Sequence, residues 1–183
     1  METYSHAFFT WALAKHGVKV GRAAGIAGAA GAALPDLPSL AGAVYYVGTG
    51  FLNEGWSSMH GDGVLEKIYF SGPFGGTGSV LHSIVPVAVF LAIYGAARLR
   101  RIDHRKILLW FLIGWLGHTL ADFLTHVTDT RPLFWPVSEW EWSSPVSYYN
   151  PNYFGREFFF VSHALMVLTM AVLLILRLRR PKS

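Results

Sequence analysis

The stretch Gly114–His126 reads GWLGHTLADFLTH, an apolar run that carries three ionisable side chains. His118, Asp122 and His126 follow one another at four-residue spacing, so in an α-helix they project from one face. Ionisable residues inside an apolar span are rare and are functional by default. An imidazole and a carboxylate one turn apart supply two metal ligands. This face therefore predicts metal binding, against the alternatives of helix packing or a solvated helix end.

The composition is typical of an integral membrane protein. Of the 183 residues, 52% are hydrophobic and 14% are charged, with a mean hydropathy of +0.36. In an ordinary soluble domain about a quarter of the residues are charged. The sequence contains no cysteine, so any metal must be held by His, Asp, Glu or backbone oxygen. We expect a single multispanning membrane domain over residues 1–183, of the all-α class.

Three apolar stretches are long enough to cross a bilayer, where a helix needs about 20 residues. They are residues 79–99, 106–127 and 158–176. A fourth, residues 20–34, is short and consists mostly of Gly and Ala, the composition of a helix that its neighbours pack closely. A helical or partly re-entrant piece, 37–52, follows it, and a short helix at 5–16 precedes it. The prediction is a helical bundle with about four spans plus short re-entrant or interfacial helices.

Basic residues cluster at positions 15–22, 98–106 and 177–182. They flank apolar runs and lack interleaved aromatic residues, so we attribute them to membrane orientation and expect no nucleic-acid partner. The positive-inside rule places the last two clusters on the cytoplasmic side of an inner or plasma membrane that the chain crosses several times. The connection 128–157 then lies outside, where aromatic rings suit the headgroup layer or dock a protein partner. Those rings are Trp135, Trp140, Trp142, Tyr148, Tyr149 and Tyr153.

Candidate ligands from separate segments reach a similar depth in this arrangement. They are His6, Asp36, His82, His118 and Asp122. Counted at about 1.5 Å per residue from the basic inner ends, the last four lie roughly 18 to 25 Å away. His6 reaches the same outer end of the bundle if the short N-terminal helix runs inward from its start. We therefore predict one polar cavity near the outer membrane face, lined by these five side chains.

Nitrogen and carboxylate ligands without sulfur suit zinc, manganese or iron, and zinc is the cofactor we expect. A divalent cation with an open coordination position lowers the pKa of water toward neutrality, which favours hydrolysis. At the headgroup level the targets are ester or phosphoester bonds of membrane lipids. We expect His82 and Asp122 to take part in catalysis, with Asp122 either binding the metal directly or orienting His118.

The Gly-rich stretch 71–79 directly precedes His82. Its backbone amides, together with a helix N-terminus, would favour an anion such as phosphate. It lacks the Lys of a Walker loop, and a flexible connector is the alternative. Four further side chains are candidate members of the site, but their spacing does not distinguish a ligand from an ordinary polar residue. They are His60, Asp62, His126 and His163.

Five short motifs follow one another in a fixed order along the chain. They are Ser5-His6, Leu34-Pro35-Asp36-Leu37, Leu81-His82-Ser83, Gly117-His118-Thr119-Leu120-Ala121-Asp122 and Leu133-Phe134-Trp135-Pro136. This pattern resembles the membrane-bound metal-dependent hydrolase family, inner-membrane hydrolases sometimes grouped with LexA-binding proteins. The resemblance covers most of the chain. It implies a small multispanning helical protein whose metal-dependent hydrolase site is formed by His6, Asp36, His82, His118 and Asp122.

The third motif departs from that family. Many of its members have His-Arg-Gly-x-Thr-His-Ser, whereas residues 77–83 read TGSVLHS, so Thr77 replaces the first His. The replacement therefore puts in doubt whether this chain binds a second metal ion or keeps every ligand of the first. The His and Asp set is also similar to that of zinc-dependent phospholipase C enzymes, which by analogy favours a phospholipid or lipid-linked phosphate as substrate.

Three other functions compete with hydrolysis. The first is a non-catalytic membrane scaffold or partner-binding protein whose polar cluster is a structural hydrogen-bond network. The second is a transporter or ion path, which is less favoured because the ionisable residues gather at one face. The third is a haem protein, which a colourless purified sample would exclude.

Overall fold

The computed structural model describes residues 1–54 and 63–179. Within these ranges the chain forms helices and no strand, which confirms the predicted all-α class. The α-helices are α1 (Thr3–Ala12), α2 (Arg22–Ala33), α3 (Leu37–Glu54), α4 (Val64–Tyr69), α5 (Gly72–His82), α6 (Ile84–Ala96), α7 (Ile107–Phe123) and α8 (Gly155–Leu178). A π-helical turn, Leu13–Gly17, extends α1, and a 3₁₀ turn, Leu34–Asp36, joins α2 to α3.

The centre of the fold is a close crossing of α2 and α7. A Cβ atom added at Gly31 would lie 1.9 Å from the carbonyl oxygen of Phe111. One added at Gly114 would lie 2.0 Å from the carbonyl oxygen of Gly28. The two backbones therefore touch with no side chain between them, which confirms that the Gly and Ala segment packs closely. At 12 residues, however, α2 is about 18 Å long, shorter than the roughly 30 Å hydrocarbon core.

The predicted span 79–99 is not one straight helix. α5 ends at His82, α6 begins at Ile84, and the two meet at an angle of 55°. Ser83 adopts extended backbone, with φ −76° and ψ 144°, and its hydroxyl accepts a hydrogen bond from the Val85 N–H. The prediction of an unbroken helix was wrong because Ser83 ends α5 and caps α6.

The Gly-rich stretch 71–79 is helical from Gly72 onward, so the expected loop conformation, whether anion-binding or a flexible connector, was wrong. Pro73 lies in the first turn, where its fixed φ favours helix initiation. The glycines permit close packing instead of flexibility. A Cβ atom added at Gly75 would lie 2.6 Å from the backbone of Phe70.

Among the described residues, α8 is the one helix long and apolar enough to cross a membrane alone. It contains the predicted span 158–176. The bent pair of α5 and α6 passes the same test only if it counts as one span. α7 has 17 residues, because the predicted span 106–127 stops being helical after Phe123. The expected four-span bundle is therefore not confirmed in the part of the chain that the structure describes.

The remaining predicted pieces are both helical. Residues 5–16 fall in α1 and its π-helical turn, and residues 37–52 lie within the 18-residue α3. α1 packs against α2 and α7. Its first turn is tied to the end of α2, where Thr3 Oγ1 donates a hydrogen bond of 2.5 Å to Asp36 Oδ2. α1 thereby lies beside the end of α7 that carries the candidate ligands.

An apolar core between α6 and α7 supports that end of the molecule. Its buried members are Val87, Tyr94, Leu112 and Trp115. The indole Nε1 of Trp115 donates to the carbonyl oxygen of Leu81 over 2.6 Å. This hydrogen bond holds the last turn of α5 against α7, which positions the neighbouring His82.

Candidate metal centre

Four side chains from three elements converge at one end of α7. Asp36 closes the 3₁₀ turn after α2, His82 is the last residue of α5, and His118 and Asp122 lie one turn apart on α7. Each offers one nitrogen or oxygen atom, and these four atoms lie within 4.8 Å of one another. His118, Asp122 and His82 are buried, with 1%, 6% and 8% of their surface exposed. Asp36 is partly exposed.

The shortest distances centre on His118. Its Nε2 lies 3.0 Å from Asp122 Oδ2 and 3.2 Å from His82 Nε2. His82 Nε2 in turn lies 3.4 Å from Asp36 Oδ1. The structure thus brings together four of the five side chains that the sequence analysis selected. This donor set of two imidazoles and two carboxylates fits a divalent cation.

Backbone carbonyls orient both imidazoles. His118 Nδ1 lies 2.7 Å from the carbonyl oxygen of Ala32, and His82 Nδ1 lies 2.7 Å from that of Gly78. When Nδ1 carries the ring proton, it donates to each carbonyl and leaves each Nε2 as an acceptor. The two Nε2 atoms then face each other and the carboxylate oxygens with lone pairs only. Positive charge balances the repulsion within such a set. The N-terminal ammonium of Met1 supplies part of it, 2.7 Å from Asp122 Oδ1, and a metal ion or protons could supply the rest.

The position of Asp122 bears on its two predicted roles. Its Oδ2 faces the same Nε2 atoms of His118 and His82 that point into the cluster. The other nitrogen of His118 is already bonded to Ala32. Asp122 therefore faces the inward nitrogen of His118, while the Ala32 carbonyl contacts its outward nitrogen.

His6 lies beside the four-atom set and contacts one of its members. Its Nε2 is 2.8 Å from Asp122 Oδ1, and its ring lies 4.0 Å, centre to centre, from that of His118. His6 is also buried. α1 therefore brings a hydrogen-bonding partner to each carboxylate, His6 to Asp122 and Thr3 to Asp36.

His126 belongs to an ion pair at the edge of the cluster. Its Nδ1 lies 2.8 Å from Asp129 Oδ2, and its Nε2 lies 3.3 Å from Asp122 Oδ2. Burial alone would lower the pKa of His126, but the nearby carboxylates of Asp122 and Asp129 outweigh it and raise that pKa to about 9. Burial would likewise raise the pKa of Asp129, and the bond to His126 lowers it. His126 thus lies beside the four-atom set and pairs with Asp129.

A cavity of about 360 Å³ borders the cluster and opens at the protein surface. Its polar wall includes the candidate ligands Asp36, His82 and Asp122. Its remaining wall is largely aromatic and aliphatic, and includes Tyr4, Leu40, Ala43, Tyr69, Phe70 and Tyr148. A ligand with a polar head and an apolar body fits such a wall.

Arg131 is a cavity residue that the sequence analysis missed. Its Nη1 lies 2.7 Å from His82 Nδ1, and its guanidinium lies 5.7 Å from the centre of the Phe70 ring. In the sequence Arg131 is a single Arg in an aromatic connection, with no spacing that relates it to His82. Only the folding of residues 124–154 over the end of α7 brings it there. The hydrogen bond from the Ser144 N–H to the carbonyl oxygen of His126 is part of that arrangement.

Other predicted site residues lie elsewhere. His163 is on α8, where its Nε2 is 2.7 Å from the Tyr4 hydroxyl, outside the four-atom set. Thr77, at the position of the family's first His, is exposed, and its hydroxyl donates to the carbonyl oxygen of Pro73. His60 and Asp62 lie outside the described residues.

Comparison with known proteins identifies the family. No curated protein and no solved structure matches the chain. The sequence model of the YdjM inner membrane protein family matches residues 1–180. This confirms the predicted inner-membrane family, whereas metal-dependent hydrolysis stays a proposal. The chain belongs to the YdjM inner membrane protein family.

Proposed function

We propose that this protein is a multi-pass, metal-dependent hydrolase that cleaves a lipid-like ester or phosphoester at the outer face of the inner membrane. The observation that carries the proposal is the meeting of four lone-pair donors within 4.8 Å, three of them on buried residues. Buried ionisable groups at this density are unfavourable unless a cation binds them. The inner-membrane family supports the location.

Asp36, His82, His118 and Asp122 are the residues that would hold the cation. A bound divalent metal, zinc for preference and manganese or iron as alternatives, would act as a Lewis acid and lower the pKa of water near neutral pH. The carbonyls of Ala32 and Gly78 keep the imidazole Nε2 atoms directed inward. Thr3 and His6 hydrogen-bond the two carboxylates and hold them in position.

The cavity supports a lipid-like substrate. Its aromatic and aliphatic wall meets the polar cluster directly, so a substrate could place its scissile bond at the cluster and its apolar part against Tyr69 and Phe70. α8 exposes apolar side chains along most of its length, as a lipid-facing helix does. Catalytic contributions are proposed for His82 and Asp122, both of which border the cavity.

A non-catalytic membrane scaffold is the competing function. Protons shared within the cluster could balance its charges without metal, and two rings of the outer connection, Trp135 and Trp140, are exposed enough to contact a partner. A scaffold predicts a stable protein partner and no turnover.

Hydrolysis can be tested with the detergent-purified full-length chain and a panel of labelled lipid esters and lipid phosphates. We expect turnover of at least one lipid, loss of turnover with a chelator, and recovery when zinc or manganese is added back. Asp36→Asn should abolish turnover, while Glu139→Gln, an exposed carboxylate of the outer connection, should leave it unchanged. Turnover that survives both the chelator and Asp36→Asn would contradict the proposal.

A further inference from the structure

Arg131 lines the cavity in the field of the Asp36, Asp122 and Asp129 carboxylates, and none of these pairs with it directly. A guanidinium has five N–H donors and no acceptor, yet the contacts of Arg131 are one nitrogen of His82 and the face of Phe70. Within residues 1–54 and 63–179, no carboxylate forms an ion pair with it. A partly buried guanidinium in that state has unused donors beside a cavity.

The tautomer of His82 removes even the one nitrogen partner. If His82 Nε2 is to bind a cation, the ring proton sits on Nδ1, where the carbonyl oxygen of Gly78 accepts it over 2.7 Å. Nδ1 cannot then accept a hydrogen bond from Arg131. In the metal-binding form of the site, Arg131 therefore needs an acceptor from outside the described protein residues.

Ser39 adds a second polar group without a partner beside the same cavity. It is buried, with 7% of its surface exposed, and its Oγ has no hydrogen-bond partner among the described residues. Gly78 separates it from Arg131: an added Cβ there would lie 2.9 Å from Arg131 Nη1 and 3.4 Å from Ser39 Oγ. The two donors thus lie close to each other, with no side chain between them.

We propose that Arg131, assisted by Ser39, binds a phosphate group of the substrate beside the metal ligands. The proposal rests on the proposed function and narrows it from lipid esters in general to phosphorylated lipids. A phosphate has several oxygens, so it can contact a metal and a guanidinium at once. A carboxylic ester is uncharged and has one carbonyl oxygen, so it provides no ion pair and few hydrogen-bond acceptors for the Arg131 guanidinium. The Phe70 ring supports the guanidinium from its face.

The first test measures binding of inorganic phosphate to the zinc-loaded, detergent-purified protein. Arg131→Gln should weaken phosphate binding about tenfold to a hundredfold, the range for a lost hydrogen bond to a charged group. Arg131→Lys, which keeps the charge and loses the planar fork, should fall between this variant and the wild type. Arg156→Gln changes an exposed Arg at the start of α8 and serves as the matched control. Zinc content and melting temperature are measured on every sample.

Each outcome of this test either supports or overturns the phosphate-binding role of Arg131. Weaker phosphate binding with unchanged zinc in both Arg131 variants supports the proposal. Unchanged phosphate affinity overturns it. Loss of zinc in Arg131→Gln and Arg131→Lys also overturns it, because Arg131 would then support His82 only. If the wild type binds no zinc, the hydrolase proposal fails, and phosphate binding by the metal-free protein decides the role of Arg131 separately.

A second measurement distinguishes the source of the phosphate. Detergent micelles that contain phosphatidic acid should displace labelled inorganic phosphate, whereas micelles with diacylglycerol should not. Displacement by phosphatidic acid that is lost in Arg131→Gln supports a lipid phosphate. Binding of inorganic phosphate without any displacement by the lipid would overturn the lipid source.

Discussion

Helices α7 and α8 are both apolar, yet they bury very different parts of their surface. In α7, seven of 17 residues are buried, and these are Trp110, Leu112, Gly114, Trp115, His118, Thr119 and Asp122. In the 24 residues of α8 only Gly155 and Ser162 are buried. α8 is the better candidate span by length, but α7 carries the candidate ligands. Apolar character alone therefore does not locate the site, which lies on the helix that is packed against the rest of the protein.

The largest expected effect comes from the crossing of α7 with α2. Gly114→Ala would place a methyl group 2.0 Å from the carbonyl oxygen of Gly28. Because the obstacle is backbone, the helices must move apart, and we expect a loss of about 3 kcal/mol or more in the free energy of unfolding. Reversible unfolding in mixed micelles measures it. Gly117→Ala on the same helix is the control, since nothing lies within 4 Å of its added Cβ. Equal stability of the two variants would refute a tight crossing.

A smaller difference in stability is expected between variants of a buried leucine in α7 and an exposed leucine in α8. Leu112→Ala in α7 removes a side chain that is 3% exposed, and Leu168→Ala in α8 one that is 60% exposed. In detergent the lost packing contributes more than transfer from water, so we expect about 2 kcal/mol for Leu112→Ala. Leu168→Ala should stay within about 0.5 kcal/mol of the wild type. If Leu168→Ala destabilises as much, α8 packs against protein and does not face lipid.

A single hydrogen bond should give a still smaller change. Trp115→Phe keeps most of the ring but loses the 2.6 Å bond to the carbonyl oxygen of Leu81, which leaves that carbonyl without this donor. The expected loss is about 1 kcal/mol. Since this bond holds the end of α5, zinc affinity should also fall. Unchanged zinc affinity would show that α5 is positioned independently of Trp115.

The smallest effect is expected at the contact of α8 with α1. His163→Ala removes the 2.7 Å hydrogen bond to the partly exposed Tyr4 hydroxyl. Exposed hydrogen bonds contribute little, so the free energy of unfolding should change by less than about 0.5 kcal/mol. A large loss would mean that α8 is anchored through this pair.

The sequence predicted those parts of the site that depend on local periodicity. The four-residue spacing of His118 and Asp122 places both on one face of α7, and helical rise brought Asp36 and His82 to the same depth. The break at Ser83 has a local signal, a capping Ser followed by Pro86, that the span prediction did not use. A hydrogen bond to the carbonyl oxygen of Leu133, 50 residues away, also holds it. Since the break follows His82, it left the predicted convergence intact.

Arg131 is an example of a site residue that local sequence patterns cannot predict. Its contact with His82 joins residues 49 positions apart, through a connection with no helical repeat. The glycines of 71–79 are a second case, because glycine indicates flexibility and close packing equally well. The backbone of Phe70, which lies against Gly75, decides between them.

The most direct test of a metal centre on α7 is the metal content of the purified protein, measured by elemental mass spectrometry. We predict about one equivalent of zinc, manganese or iron in the wild type and in His163→Ala, and none in His118→Ala. The two variants remove a histidine from α7 and α8 respectively, so only loss of the four-atom set should release the metal. A folded, metal-free wild type that takes up no added metal would contradict the account, as would equal metal in all three proteins.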